Sequence, residues 1–164
     1  MLESLLKVVT EVKQRTKSAS QISLVLDFDG TLVPIEANPA SPRLDSGTAE
    51  ALKSLSSRDF LVTTVISGRA VEDLYGRIRV HGLIYAGNHG LEIFGRNLLF
   101  VEPSAAARRQ ELERLCGELR IQLQPIEGAM VEFKGLTASV HYRLGVSARA
   151  KISVPNAELR ANIS

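Results

Sequence analysis

One short stretch near the N-terminus decides the fold, and it reads Ile22-Ser23-Leu24-Val25-Leu26-Asp27-Phe28-Asp29-Gly30-Thr31-Leu32. It begins with an almost uniformly apolar run, typical of a buried strand, and Asp27 and Asp29 follow where that strand ends. Acids at positions i and i+2 project to the same side of an extended chain, while Phe28 between them turns into the core. Two carboxylates this close cannot both be buried and charged without a cation or hydrogen-bond donors. The stretch therefore predicts a polar site at a strand end.

The segments around this stretch predict an α/β protein. Helical periodicity marks residues 2–16, and further helices are predicted from Ser46 and from Val71, with a proline-containing loop at 31–45. Strands are predicted at 22–28, 60–66 and 83–86. Alternating strands and helices are typical of a parallel sheet, in which ligands bind beyond the carboxyl ends of the strands. We expect three polar or glycine-rich clusters to converge there: residues 27–31, 67–69 and 87–90.

The paired acids suggest phosphoryl transfer. Asp27, fixed by the strand, is the better nucleophile and would attack phosphorus to give an aspartyl phosphate. Asp29, on a more mobile segment, would protonate the leaving oxygen and then activate water. Gly30 lets the chain turn away sharply, and Mg²⁺ would offset the repulsion between the two carboxylates because it prefers oxygen ligands. The alternative interpretation is a strand-end turn with two solvated acids.

From about residue 91 the pattern changes to hairpins around one helix. A hairpin is predicted at 91–101, and a helix from Pro103 with the apolar stripe Leu112, Leu115, Cys116 and Leu119. A second hairpin joins 129–134 to 137–143 through a two-residue turn, which places Met130 opposite His141. Alternation then puts one set of polar residues on one face, namely Glu132, Lys134, Thr137, Ser139, His141 and Arg143. The other face, packed on the helix, would hold Val131, Phe133, Val140 and Tyr142.

That polar face of the second hairpin has two interpretations. It suits a sugar, whose hydroxyls need donors and acceptors in fixed positions. It is also what a solvated hairpin with cross-strand ion pairs would present.

Two of the clusters resemble motifs of the haloacid-dehalogenase-like (HAD) phosphohydrolase superfamily. Residues 26–32 resemble its first motif, and residues 65–68 its second. The resemblance implies that Asp27 is the nucleophile and Asp29 the general acid/base. It also implies that Mg²⁺ is held by the Asp27 carboxylate and the Asp29 carbonyl. Phosphate would be bound by the Ser67 hydroxyl, with Gly68 and Gly30 beside it. Alone, Ser67 is more often a helix cap, and Arg69 more often half of a surface ion pair.

Further motifs narrow the resemblance to the trehalose-6-phosphate phosphatase family, over residues 22 to about 144. They are residues 66–69, 86–92, 128–134 and 139–143. The resemblance implies a HAD-like Rossmannoid parallel core, incomplete and lying in residues 1–101. Residues 102–164 would form part of an inserted α+β cap. It also implies that Glu132 and Lys134 bind sugar hydroxyls, with His89, His141 and Arg143 as weaker candidates.

Two family motifs are missing from the sequence. Neither the lysine of the third HAD motif nor the acidic pair of the fourth is found. Beyond Arg143 the only acid is Glu158, and Lys151 lacks a third-motif context. We therefore expect a truncated member of the family with weak activity, or none, in isolation.

Composition bounds the remaining alternatives. The 164 residues carry a net charge of +2 and only 5% aromatics, which disfavours nucleic-acid binding. No apolar run is long enough to span a bilayer, and one cysteine, Cys116, fits the cytoplasm. The expected function is Mg²⁺-dependent hydrolysis of trehalose 6-phosphate to trehalose and phosphate. The alternatives are a HAD phosphatase for another sugar phosphate, such as sucrose phosphate, and a non-catalytic module that binds sugar phosphate or a partner chain.

Overall fold

The computed structural model describes residues 2–36 and 41–141 of the chain. Within that part the chain separates into two compact units, one of residues 2–36 and 41–101 and one of residues 102–141. Arg143, Tyr142, Lys151 and Glu158, which the sequence analysis discussed, lie outside the described residues.

The first unit is a five-stranded sheet with helices. Its helices are α1 (Leu2–Ser18), α2 (Ser46–Ser56) and α3 (Val71–Ile78). Its strands are β1 (Ile22–Asp27), β2 (Leu61–Ile66), β3 (Ile84–Gly87), β4 (Glu92–Gly95) and β5 (Leu98–Val101). The predicted α/β class and its predicted elements are confirmed, with bounds that differ by one or two residues.

The sheet is mixed rather than purely parallel. In the order β1-β2-β3-β4-β5, the first three strands are parallel, and β4 and β5 continue the sheet antiparallel. Only a short 3₁₀ turn, Asn88–Gly90, and Leu91 separate β3 from β4, and a parallel crossover needs a dozen or more residues. The connection from β4 to β5 is a tight turn in which Arg96 and Asn97 both have positive φ, as a two-residue hairpin requires.

The core of this unit forms around side chains from β2, β3, α2 and α3 and from the turn after β1. Its fully buried members include Phe28, Val65, Leu74 and Tyr85. Along β1, however, burial alternates: Ser23, Val25 and Asp27 are exposed, and Val25 is 58% exposed. Among the described strands, β1 lies at the edge of the sheet, and the side chains on one of its faces are exposed.

The second unit contains α4 (Pro103–Ala107), α5 (Arg109–Leu123), β6 (Met130–Phe133) and β7 (Ala138–His141). The single helix predicted from Pro103 is wrong, because the chain leaves helical geometry at Arg108 (φ −96°, ψ 3°). There the Arg108 N–H closes the end of α4 by donating to the Ala105 carbonyl.

The predicted apolar stripe and hairpin register of the second unit are confirmed. Cys116 is buried, and the three leucines of the stripe are half-buried. Met130 lies opposite His141 and Glu132 opposite Ser139. The expectation that Val140 packs on the helix is wrong, since Val140 is 38% exposed and α5 packs mainly on β6, where Val131 is buried.

Among the helices of residues 2–36 and 41–141, none combines the length and apolar character that a membrane span requires.

Candidate active site

The acidic stretch forms a tight turn at the end of β1. Phe28 is fully buried, and its carbonyl accepts hydrogen bonds from the backbone N–H groups of Leu32 (3.0 Å) and Val33 (3.1 Å). The Gly30 N–H donates to the Val33 carbonyl at 2.8 Å, and Gly30 adopts φ +87°, a conformation that favours glycine. The expected sharp turn at Gly30 is therefore present, anchored by the buried Phe28.

Asp27 is the open member of the acidic pair. It lies opposite Ile66 in the parallel register, so it ends β1 beside the residue that precedes Ser67. Its side chain is exposed, and its carboxylate forms no hydrogen bond or ion pair with the residues that the structure describes. This carboxylate is therefore available to an incoming group.

Asp29 is held in place by two residues that follow β2, Ser67 and Arg69. Its side chain accepts a bidentate pair from Arg69, with Nε 2.9 Å from Oδ2 and Nη2 2.7 Å from Oδ1. The Ser67 hydroxyl donates to Oδ2 at 3.2 Å. The Arg69 side chain is only 11% exposed, and its guanidinium lies 5.7 Å from the centre of the Phe28 ring. Charge-assisted bidentate bonds of this kind fix orientation as well as adding energy.

Arg69 makes a contact within the candidate site that the sequence did not predict. Ser67 and Asp29 were predicted to share a site, and the structure brings them together. Arg69 was set aside as half of a surface ion pair, whereas its partner is the predicted acid–base residue itself. The available signal was its position two residues after Ser67, at the start of the same turn.

A row of alternating charges continues from Arg69 along α3. Arg69 Nη1 lies 3.2 Å from Asp73 Oδ2, and Arg77 Nε lies 2.9 Å from the same oxygen. Arg77 Nη1 in turn donates to the Pro42 carbonyl at 2.8 Å. We call the series Asp29, Arg69, Asp73 and Arg77 the charge ladder.

The pKa values of the inner ladder members reflect this pairing. Burial acts to lower the pKa of Arg69, but hydrogen bonds and the charges of Asp29 and then Asp73 outweigh it and leave the pKa raised. Burial likewise acts to raise the pKa of Asp73, but hydrogen bonds and the charges of Arg77 and then Arg69 leave it lowered. Both groups are therefore held in their charged forms.

The end of β3 clamps the turn that carries Ser67 and Arg69. The backbone N–H of Asn88 donates to the Arg69 carbonyl at 2.7 Å, and that of His89 donates to the Ser67 carbonyl at 3.0 Å. Asn88 is fully buried, and its Nδ2 donates to Glu92 Oε1 at 2.7 Å. The same Glu92 oxygen accepts the Val71 N–H at 2.6 Å. We call Asn88 and Glu92 the clamp.

The clamp also caps a helix. Ala70, which precedes α3, offers no side-chain cap, so Glu92 from β4 satisfies an N–H of the first turn. Gly87 allows this approach, because a Cβ there would lie 2.3 Å from the Val71 nitrogen. The sequence interpretation quoted residues 86–92 as a motif but gave Glu92 no role.

His89 belongs to the same site. A Cβ on Gly68 would lie 2.6 Å from His89 Nε2, so the imidazole lies directly over Gly68 and beside the Ser67 turn. His89 is exposed and adopts a left-handed backbone conformation (φ 59°, ψ 30°). Of the predicted sugar ligands, it is the one that lies in the first unit.

The other predicted sugar ligands that the structure describes form a cluster on the β6–β7 hairpin. Glu132 Oε2 lies 2.7 Å from His141 Nε2 and 3.8 Å from Lys134 Nζ. The contact between Glu132 and His141 is a cross-strand contact of the kind that the alternative interpretation of the hairpin predicted, whereas Glu132 and Lys134 lie on the same arm of the hairpin. The two contacts also set an acid, a base and an imidazole side by side on one half-buried face. Arg143 lies outside the described residues.

The first strand end offers two oxygen ligands to a hard cation. Besides the Asp27 carboxylate, the Asp29 carbonyl oxygen accepts no hydrogen bond from the described residues, although its side chain is engaged by Arg69. No group of three or more His, Cys, Asp or Glu that could hold a metal occurs in residues 2–36 and 41–141. Two protein oxygens are nevertheless the donor set that Mg²⁺ uses when waters and substrate phosphate complete its shell. The residues present fit that ion.

Comparison with known proteins assigns a family. A model of the trehalose-phosphatase family matches residues 25–158. The trehalose-phosphate phosphatase of Mycobacterium leprae is 39% identical over 127 residues, covering 77% of this chain and 29% of that protein. The enzyme of Mycobacterium bovis is 38% identical over 126 residues, covering 76% and 32%. This chain therefore spans about a third of the length of the phosphatases it matches. An uncharacterized glycosyl hydrolase of Mycobacterium tuberculosis is 37% identical over 139 residues, 84% of this chain and 10% of that protein.

Solved structures share the fold. A trehalose-6-phosphate phosphatase related protein superposes with a TM-score of 0.70 at 22% identity, covering 87% of this chain and 58% of that one. The C-terminal domain of the C. albicans trehalose-6-phosphate phosphatase gives 0.64 at 21% identity, covering 78% and 45%.

Proposed function

The chain belongs to the trehalose-phosphatase family, and from that premise we propose that it hydrolyses trehalose 6-phosphate to trehalose and phosphate. The proposal rests on one observation: the two carboxylates at the end of β1 lie in different environments. Asp27 is exposed and unengaged by the described residues, whereas Asp29 is oriented by Arg69 and Ser67. Neighbouring carboxylates with different environments are typical of sites where one is a nucleophile and the other an acid–base group.

The proposed reaction has two steps. In the first, an Asp27 oxygen attacks phosphorus, the bond between phosphorus and the sugar oxygen breaks, and Asp29 gives that oxygen a proton. In the second, Asp29 takes a proton from water, the water oxygen attacks phosphorus, and the bond to Asp27 breaks. The bidentate pair with Arg69 fixes the orientation of the Asp29 carboxyl group for both proton transfers.

Mg²⁺, held by the Asp27 carboxylate and the Asp29 carbonyl, would supply positive charge for the phosphoryl oxygens. The Ser67 hydroxyl, beside Gly68 and Gly30, would bind phosphate. For the sugar we propose Glu132 and Lys134, with His89, His141 and Arg143 as further candidates. In this proposal residues 1–101 act as the catalytic core and residues 102–164 as a cap. The single cysteine, Cys116, is the basis for proposing a cytoplasmic protein.

Phosphate release by the purified chain tests the function. We expect weak Mg²⁺-dependent release from trehalose 6-phosphate that still exceeds release from sucrose 6-phosphate and glucose 6-phosphate. The Asp27→Asn variant, which keeps the shape of the side chain, should lose about a thousandfold or more of the rate. Binding of trehalose 6-phosphate without phosphate release would instead support a non-catalytic module. Equal rates for wild type and Asp27→Asn would contradict the assigned nucleophile.

A further inference from the structure

The charge ladder contains one residue, Asp73, whose position in the fold suggests a role in the reaction without contact to the reacting atoms. Asp73 lies on α3, one helical turn beyond Arg69, and its side chain is 43% exposed. Asp73 and Asp29 bind different nitrogens of the Arg69 guanidinium. Nη1 donates to Asp73, whereas Nε and Nη2 donate to Asp29. The guanidinium is thus bound on two sides by two carboxylates.

The planarity of the guanidinium makes these two contacts interdependent. Its N–H donors form a rigid fork, so a hydrogen bond to Nη1 also fixes the plane in which Nε and Nη2 present their hydrogens. Arg69 is nearly buried, where water competes weakly for these bonds and neighbouring charges interact more strongly than in solvent. Loss of the outer contact therefore loosens the inner one.

Asp73 is itself held in place. Arg77 binds the Asp73 carboxylate through Nε, at 3.0 Å and 2.9 Å from its two oxygens. Arg77 is 16% exposed and also donates to the carbonyl of Pro42, which is buried. The carboxylate of Asp73 is therefore anchored to the loop after β1 as well as to its own helix.

We propose that Asp73 is a positioning residue for the acid–base residue Asp29 and that it acts through Arg69. The inference rests on the proposed function, because it takes the acid–base role of Asp29 as given. Arg69 without Asp73 keeps its charge but loses the contact that aligns it, so Asp29 stays paired in a less well-defined orientation. Proton transfer depends on that orientation, whereas substrate affinity does not.

The test compares Asp73→Ala, which removes the acceptor of Arg69 Nη1, with wild type by two readouts. The first is the exchange rate of the Arg69 Nε–H with solvent, measured by ¹⁵N NMR on the full chain without substrate. The second is the steady-state rate of phosphate release from trehalose 6-phosphate with Mg²⁺. We expect Nε–H exchange to accelerate about tenfold, and kcat to fall about tenfold with KM within about twofold of wild type, since Ser67 still holds Asp29.

Two further variants serve as controls. Asp73→Glu restores a carboxylate and should recover part of both losses. Glu118→Gln breaks the corresponding i,i+4 pair with Arg114 on α5, which is exposed, and should change neither readout.

The outcomes separate this inference from the proposed function. Unchanged Nε–H exchange in Asp73→Ala overturns the inference whatever the activity. A lower melting temperature with kcat and KM changed together indicates a merely structural role and also overturns it. If wild type releases no phosphate, the proposed function fails for this chain. In that case the exchange rate alone decides whether Asp73 aligns Arg69.

Discussion

The two sides of the candidate site are built differently. On the β1 side, Val25 and Asp27 point from an edge strand into solvent, and the described residues give the Asp27 carboxylate no partner. On the β2–β3 side, the turn from Ser67 to Arg69 is hydrogen-bonded through its backbone, through Asp29 and through the clamp. A nucleophile has to be accessible to the substrate, whereas an acid–base group has to be held in a fixed orientation. The contrast therefore matches the division of labour proposed for the two acids.

The contrast also predicts where substitutions cost stability. An exposed carboxylate without a partner contributes little to folding, and removing it leaves nothing unpaired. A half-buried oxygen that accepts two hydrogen bonds leaves two donors unsatisfied when it is removed. Three predictions follow this difference from its largest consequence to its smallest.

Glu92→Ala should be the most destabilising of these substitutions. It removes the acceptor of the Val71 N–H and of the Asn88 Nδ2 hydrogen bond to Glu92, so we expect a loss of about 3 kcal/mol in the free energy of unfolding. The urea unfolding midpoint of the full chain measures it. Glu92→Gln keeps an acceptor oxygen and should cost about half as much or less. Asp27→Ala, on the open side, should stay within about 0.5 kcal/mol of wild type. Equal losses for Glu92→Ala and Asp27→Ala would erase the contrast between the two sides.

Tyr85 on β3 extends the tightly bonded side into the core. Its hydroxyl donates to the Val80 carbonyl at 2.6 Å and accepts the Val80 N–H at 3.0 Å. Tyr85→Phe leaves both Val80 groups unpaired, and we expect a loss of about 2 kcal/mol at pH 7, measured by urea unfolding.

The same substitution has a pH signature. Burial raises the pKa of Tyr85 to about 12, although its hydrogen bond with Val80 acts in the opposite direction. The folded state therefore keeps the phenolic proton above pH ~10, where the unfolded chain releases it. This contribution to stability is complete below pH ~10 and is lost as the pH rises towards about 12. The stability difference between wild type and Tyr85→Phe should accordingly shrink over that range. A constant difference would show that the phenol titrates normally.

Thr63, within β2, should give the smallest effect on stability and the opposite sign. It is fully buried, and its hydroxyl has no hydrogen-bond partner among the described residues. Thr63→Val keeps the shape and removes the stranded hydroxyl, so we expect a gain of about 1 kcal/mol in unfolding free energy. Thr64→Val, at the neighbouring half-buried position, is the matched control and should change stability by less than about 0.5 kcal/mol. A loss of stability in Thr63→Val would mean that the hydroxyl has a partner.

Local patterns in the sequence predicted most of the elements. The apolar runs before Asp27 and Ser67 became β1 and β2, and the two-residue turn after Lys134 set the register of β6 and β7. These features depend on neighbours in sequence, where periodicity and turn residues are informative. The placement of β4 and β5 in the main sheet was not predicted, although the short link after β3 allows little else.

Long-range pairs were harder to predict. Asp29 and Arg69 were both noted, but they are forty residues apart and nothing local links them. Glu92 contacts the start of α3 at Val71, 21 residues earlier in the chain, and the close approach at Gly87 allows that contact. The sequence interpretation identified which residue types the site needs. Which of these residues contact one another depends on the order and pairing of the strands in the sheet.

Asn88, His89 and Gly90 all adopt positive φ (48°, 59° and 93°), and this backbone conformation limits which residues these positions tolerate. A β-branched or bulky replacement at these positions would be strained, because such residues rarely adopt positive φ. Such variants should lower the abundance of the folded protein in the cell before they measurably change its activity on a sugar phosphate.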